Sequence, residues 1–161
     1  WMFTRQQVRD HIRHPKAVRS IVFRPASKSR DMPKFLNMKS RRVEHTDLMD
    51  AGGNYRALFL WRDGAYFDKR KFSAWLFLSQ GEDLIPIARM DYHPSHKGFH
   101  VHFNCEDGRD LTNRALPGVK ELAFGKTRRL DPKLDIDRIN LVDQALKCLG
   151  ISLPSEQGGL F

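Results

Sequence analysis

The chain has 161 residues, 40% of them hydrophobic, and its 28 Lys and Arg residues outnumber 19 Asp and Glu to give a formal net charge of +9. This length suits one folded domain, residues 1–161, because two independent cores of ordinary size need a longer chain. No apolar run approaches the roughly 20 residues of a membrane-spanning helix and no export signal stands at the N-terminus, so we expect a cytoplasmic protein without a membrane partner.

The first predicted element is a short helix from Thr4 to about Arg13. Thr4 has the side chain of a good N-cap residue, because its hydroxyl oxygen can accept from a backbone N–H of the first turn. Val8 and Ile12 are four residues apart. This spacing places both side chains on one face of the helix, where they predict contact with a core.

A basic N-terminal arm follows over about 15–50. Between residues 19 and 42 it contains eight Lys and Arg residues and a single acid. Such a segment is drawn to polyanions, because binding neutralises phosphates and releases their counterions. We therefore expect RNA as the main partner and an acidic protein as the second. The nucleic-acid contacts expected from the arm are Arg30, Arg41 and Arg42.

A strand-rich core is predicted over about 54–106. Aromatic and aliphatic residues fill four runs there, 55–61, 72–79, 84–91 and 99–105, with turn-forming residues between the first three. Short connections between successive strands favour an antiparallel meander. Pro86 cannot donate a hydrogen bond to a neighbouring strand, so its strand should lie at an edge or contain a bulge there.

The last predicted element is a helix over about 137–149. Its expected buried stripe consists of Ile139, Val142, Leu146 and Leu149. Asp135 or Asp137 is expected to cap the start, and Gly150 to end the helix. The sequence thus predicts an α+β fold, an antiparallel β-meander sheet flanked by N-terminal and C-terminal helices.

Four of the seven histidines fall within ten residues, at His93, His96, His100 and His102. Imidazole ionises near neutral pH, so a local concentration of histidines supplies proton donors, proton acceptors or metal ligands. Side chains alternate along a strand, which places His100 and His102 on the face opposite the apolar residues of the same run. These two histidines are the leading functional candidates.

The preceding strand adds two charged residues to the same surface. An antiparallel pairing that keeps the apolar residues of both strands in the core places Asp91 opposite His100 and Arg89 opposite His102. The connecting loop can then bring further polar groups over this surface. Those groups are His93, His96 and Lys97.

One interpretation is that two histidines cleave an RNA phosphodiester as general acid and general base, with no metal or other cofactor. His100 and His102 form the expected acid/base pair, and His93 and His96 are the alternates. Asp91 would orient one imidazole, as the third group of a triad does. Arg89 and Lys97 would stabilise the charge that develops on the phosphate.

Two alternatives remain open. His93, His96, His100 and His102 could instead hold zinc or another divalent transition metal, because alternate residues of a strand point the same way. The chain would then be a metal-dependent nuclease or hydrolase. In the other alternative, the histidines are solvated polar residues of a basic module that binds nucleic acid or protein without catalysis.

The order of these features resembles small toxins of bacterial toxin-antitoxin modules, the TumE-like group. The resemblance covers about 20 residues, in which an Arg-x-Asp strand precedes a histidine-containing loop and a His-x-His strand. The matching residues are Arg89, Asp91, His96, His100 and His102. The loop is shorter here than in that group and is differently composed. The resemblance implies a toxin that attacks RNA and an antitoxin that masks its basic, histidine-bearing surface.

Overall fold

A computed structural model of the chain describes residues 3–26, 42–94, 98–105, 110–112 and 129–154, and the fold is described for these ranges. The helices are α1 (Arg5–Arg13) and α2 (Asp135–Leu149). The strands are β1 (Lys16–Ala17), β2 (Arg24–Pro25), β3 (Val43–His45), β4 (Met49–Asp50), β5 (Tyr55–Arg62), β6 (Lys71–Gln80), β7 (Asp83–His93), β8 (Gly98–Phe103), β9 (Asp110–Thr112) and β10 (Ile151–Ser152).

The main sheet is antiparallel, with strand order β2-β3-β5-β6-β7-β8-β9, and β4 pairs with β5 beside β3. Strands β5 to β8 follow one another in sequence and in space, which confirms the predicted α+β fold with a meander between an N-terminal and a C-terminal helix. Strands β1 and β10 form a separate two-stranded parallel sheet. This small sheet joins the residues that follow α1 to those that follow α2.

A β-bulge interrupts the pairing of β6 with β7. Leu76 pairs with Ala88 and Phe77 with Pro86, so Ile87 is an extra residue on β7. The bulge expected at Pro86 is therefore confirmed. The edge position is wrong, because β7 lies between β6 and β8. A bulge accommodates the missing proline N–H without ending the strand.

Both helices pack on one face of the sheet. Val8 and Ile12 of α1 are buried as predicted, and Thr4 caps this helix by accepting from the N–H of Gln7 at 3.1 Å. The core that they join includes Phe59, Phe72, Ala74, Met90, Val101, Leu141, Val142 and Ala145. Neither described helix is long and apolar enough to cross a membrane.

The predicted buried stripe of α2 is wrong at its start. Ile139 is 37% exposed, whereas Leu141 is fully buried. The other members of the predicted stripe, Val142, Leu146 and Leu149, are buried as expected, together with Leu141 and Ala145. The predicted aspartate cap is also wrong, because no side chain caps the first turn. The carboxylate of Asp137 instead accepts from the N–H of Asp131 at 2.9 Å.

Parts of the basic arm are built into the fold. Strands β1, β2, β3 and β4 all fall within it. Of its three expected nucleic-acid contacts, Arg30 and Arg41 lie outside the described residues. Arg42 is exposed, and its carbonyl oxygen accepts from the N–H of Asp63 at 2.8 Å. Arg42 is therefore attached to the loop after β5.

The carboxyl end of α1 is fixed by a buried lysine. The Lys16 ammonium group donates to the carbonyl oxygens of Ile12 and His14 at 3.0 Å and 2.8 Å, and also to that of His11. It lies 5.1 Å from the centre of the Tyr55 ring. Burial lowers the pKa of Lys16 to about 8. These contacts supply partners for carbonyl groups that a helix end otherwise leaves without one.

Gly150 ends α2 against the same place. Its φ angle is 68°, in the left-handed region, as expected of a glycine at a helix end. A Cβ at this position would lie 1.9 Å from the carbonyl oxygen of Ile12 and 3.2 Å from Nζ of Lys16. The ends of the two helices therefore meet with no room for a side chain.

Gly150→Ala should lower the free energy of unfolding by about 3 kcal/mol or more, because it adds a steric clash to left-handed strain. Gly81→Ala is the matched control, since Gly81 has a φ of 59° and nothing within 4 Å of an added Cβ. It should cost only about 1–2 kcal/mol. Urea unfolding of both variants measures the difference. Equal losses would show that the contact between the helix ends is not tight.

Candidate functional site

The candidate site lies on the sheet face that points away from the two helices. Residues of β6, β7 and β8 that alternate with the helix-facing core supply its side chains. The predicted pairing is confirmed, with Arg89 opposite His102 and Asp91 opposite His100. Strand β6 adds Ser73 opposite Asp91, on the other side of β7. Three neighbouring strands thus contribute to one polar surface.

Asp91 is the centre of this surface, and its side chain is only 3% exposed. Its Oδ1 accepts from the Ser73 hydroxyl at 2.6 Å and lies 4.0 Å from Nζ of Lys71. Its Oδ2 lies 3.3 Å from Nε2 of His102 and 2.9 Å from Nε of Arg89. A buried carboxylate is stable only when such partners replace water.

These contacts keep Asp91 ionised. Burial raises the pKa of its carboxyl group, because it disfavours the charged form. A hydrogen bond from His102, the charge of Lys71 and a hydrogen bond from Ser73 outweigh burial, and the charge of Arg89 adds to them. The pKa falls to about 2. Asp91 is therefore a carboxylate throughout the neutral range and acts as an acceptor of hydrogen bonds.

Arg89 is held between the carboxylate and an aromatic ring. Its Nε is close to Oδ2 of Asp91, yet it has no hydrogen-bond partner of good geometry, so this contact is an ion pair rather than a hydrogen bond. The guanidinium carbon lies 5.0 Å from the centre of the Trp75 ring, which gives a cation–π contact. The Arg89 side chain remains 30% exposed. It can therefore contact a bound anion while it stays fixed in place.

His102 and the pair formed by His93 and His100 make different contacts. His102, with a side chain 30% exposed, meets the carboxylate of Asp91. The rings of His93 and His100 meet edge to face, with their centroids 5.7 Å apart. His100 is the direct pairing partner of Asp91 on β8, and the imidazole of His102, two residues further along, lies 3.3 Å from the carboxylate. A diagonal contact of this kind is within reach of long side chains on neighbouring strands.

Two predicted site residues, His96 and Lys97, lie outside the described residues. Two others were missed by sequence reasoning, Ser73 and Lys71 of β6. Ser73 stands within an almost continuously apolar run, so the side of the sheet that it faces could not be read from that strand alone. The register of β6 with β7 would have identified it, because Ser73 pairs with Asp91.

Within the described ranges, no group of three or more His, Cys, Asp or Glu side chains is arranged to hold a metal ion. Of the four predicted metal ligands, His93 and His100 lie together, while His102 turns towards Asp91. The fourth, His96, is not described.

Comparisons with protein-family models, with curated proteins and with solved structures gave no match to this chain.

Asp91→Asn should lower the free energy of unfolding by about 2 kcal/mol at pH 6. The folded-state pKa of about 2 lies below the ordinary value of 3.8, so this stabilisation is present above pH 4 and is lost as the pH falls towards 2. The difference between wild type and variant should shrink accordingly.

Urea unfolding at pH 6, 4 and 3 provides the measurement. Asp83→Asn, which removes an exposed carboxylate from the same strand, controls for the change in net charge. A stability difference for Asp91→Asn that stays constant from pH 6 to pH 3 would contradict the ionised state assigned to Asp91.

Proposed function

We propose that this chain is a toxin-like ribonuclease that cleaves RNA phosphodiester bonds by histidine acid/base catalysis. The observation that carries the proposal is the buried Asp91 carboxylate in contact with both His102 and Arg89. A fixed carboxylate orients an imidazole and stabilises its protonated form during proton transfer. The adjacent guanidinium is the group needed to balance charge on a phosphate.

In the proposed reaction, the ribose 2'-hydroxyl attacks phosphorus while one histidine removes its proton. The bond between phosphorus and the 5'-oxygen breaks, and a second histidine protonates the departing oxygen, which leaves a 2',3'-cyclic phosphate. His102, oriented by Asp91, is one member of the pair, and His100 is the other. His93 and His96 remain the alternates.

Positive charge supports RNA as the substrate. Arg89 and Lys71 stand beside the carboxylate, and the chain as a whole has a net charge of +9. A protein of this charge binds nucleic acid strongly through phosphate neutralisation. Lys97, Arg30, Arg41 and Arg42 are proposed as further contacts to the RNA.

An acidic protein is the proposed regulatory partner. A toxin that attacks RNA needs an inhibitor in the cell that makes it, and acidic side chains would complement the basic surface. A small reading frame for an acidic protein next to the gene of this chain would support the toxin role. We propose the cytoplasm as the place of action, because cellular RNA is present there.

His102→Ala and His100→Ala should each slow cleavage of a single-stranded RNA oligonucleotide at least about 100-fold in excess EDTA, because each removes a proton-transfer group. His14→Ala is the control, since His14 is exposed just after α1. It should cleave at the wild-type rate. Replacing the ribose at the cleaved position by 2'-deoxyribose should abolish cleavage there.

Circular dichroism of each variant checks that the fold is kept. Wild-type rates in both site variants would overturn the assignment. Activity that EDTA abolishes, with metal found by elemental analysis, would establish the metal-dependent nuclease instead. RNA binding without cleavage under all these conditions would establish a non-catalytic binding module.

A further inference from the structure

A groove lies next to the acid/base site on the same sheet face. Its volume is about 330 Å³, within the size range of small-molecule sites. The lining residues are Trp75, Pro86, Ile87, Ala88, Arg89, His102, Phe103 and Asn104. Arg89 and His102 also belong to the Asp91 cluster, so one end of the groove opens directly onto the proposed catalytic groups.

The two ends of the groove differ in chemistry. At one end, Arg89 supplies a cationic group and His102 an ionisable one. The rest of the lining includes Trp75, Pro86 and Asn104, together with residues around the bulge whose side chains belong to the helix-side core, Ile87, Ala88 and Phe103. A ligand with a flat, partly apolar ring and a neighbouring anionic group matches this arrangement.

The walls of the groove are held by contacts within the protein. The ring of Trp75 is stacked on that of Phe77, with centroids 5.5 Å apart and planes 5° from parallel. The Asn104 side-chain amide donates to the carbonyl oxygen of Pro86 at 2.8 Å, and its backbone N–H donates to that of Ile87 at 3.1 Å. These contacts fix the shape before a ligand binds, which reduces the entropic cost of binding.

We propose that this groove binds one unpaired nucleobase of the RNA, the base adjacent to the phosphate held by Arg89 and His102. This inference rests on the proposed ribonuclease function. Proteins recognise single-stranded RNA by stacking its bases on aromatic rings and on guanidinium planes. Trp75 and Arg89 already lie one over the other, so they provide both kinds of surface in one place.

An aromatic side chain beside a cation favours a nucleotide over a peptide as the ligand of the groove. An acidic peptide would satisfy Arg89, but it offers no flat ring to match the Trp75 side of the groove unless an aromatic residue stands next to the acid. A nucleotide has a ring and a phosphate joined by one sugar. The ring and the phosphate of a nucleotide are therefore close together, as are the Trp75 ring and the Arg89 guanidinium in the groove.

The test compares nucleoside monophosphates with ribose 5-phosphate, which has the same anion and no base. Adenosine and cytidine monophosphates should quench tryptophan fluorescence and bind at least about 10-fold more tightly than ribose 5-phosphate, because base stacking adds to the phosphate contact. Trp75→Phe should remove most of the quenching. Trp61→Phe is the matched control, since Trp61 is buried in the helix-side core, and it should keep the quenching.

A second arm uses RNA oligonucleotides with one abasic site. Removing the base next to the cleaved phosphate should weaken binding about 10-fold, whereas removing a base several nucleotides away should have little effect. These comparisons alter the ligand and not the protein, so a folding defect cannot produce the result.

Failure of this inference is distinguishable from failure of the proposed function. If RNA is cleaved but ribose 5-phosphate binds as tightly as the monophosphates, the groove holds no base and the inference is overturned. The same conclusion follows if only an acidic peptide quenches Trp75. If monophosphates bind at Trp75 but RNA is not cleaved by wild type, the base site stands and the ribonuclease function falls.

Discussion

The structure of the candidate site depends on one buried charge, the carboxylate of Asp91. An ionised group at this depth needs partners that replace water. They come from strands on both sides of β7, Ser73 from β6 and His102 from β8, together with Arg89 of β7 itself. A one-residue slip of β7 would turn Asp91 into the apolar layer beneath the helices, where none of these groups could follow. The buried charge of Asp91 thus also specifies the strand register.

Sequence reasoning reached the β7 and β8 half of the site because their side chains alternate in polarity. His100 and His102 are separated by one core residue, Val101, and a pairing that keeps the apolar residues of both strands inside is expected to place Asp91 opposite His100, which the structure confirms. Strand β6 lacks this alternation. Its aromatic and aliphatic residues face both sides of the sheet, and Ser73 among them could not be assigned to a face. Its role became visible only through the pairing with Asp91.

The remaining differences have local physical causes. The alternation of side chains identifies direct neighbours on adjacent strands. Flexible side chains also reach diagonal neighbours, which is how the imidazole of His102 comes within 3.3 Å of the carboxylate. In α2, the helical spacing that predicted a buried Ile139 fits a second set of apolar residues, which includes Leu141, equally well. Only packing on the sheet decides between them, and it buries Leu141 while Ile139 stays partly exposed.

The pairing of β1 with β10 has a consequence for the order of folding. The meander from β5 to β8 is built from contacts close in sequence, so it can form early during synthesis. The helix layer is different, because Lys16 pairs with Ile151 across most of the chain. The apolar side of the sheet can therefore be closed completely only after β10 has been synthesised. Before that point, the core residues of the meander that face the helices lack part of their cover.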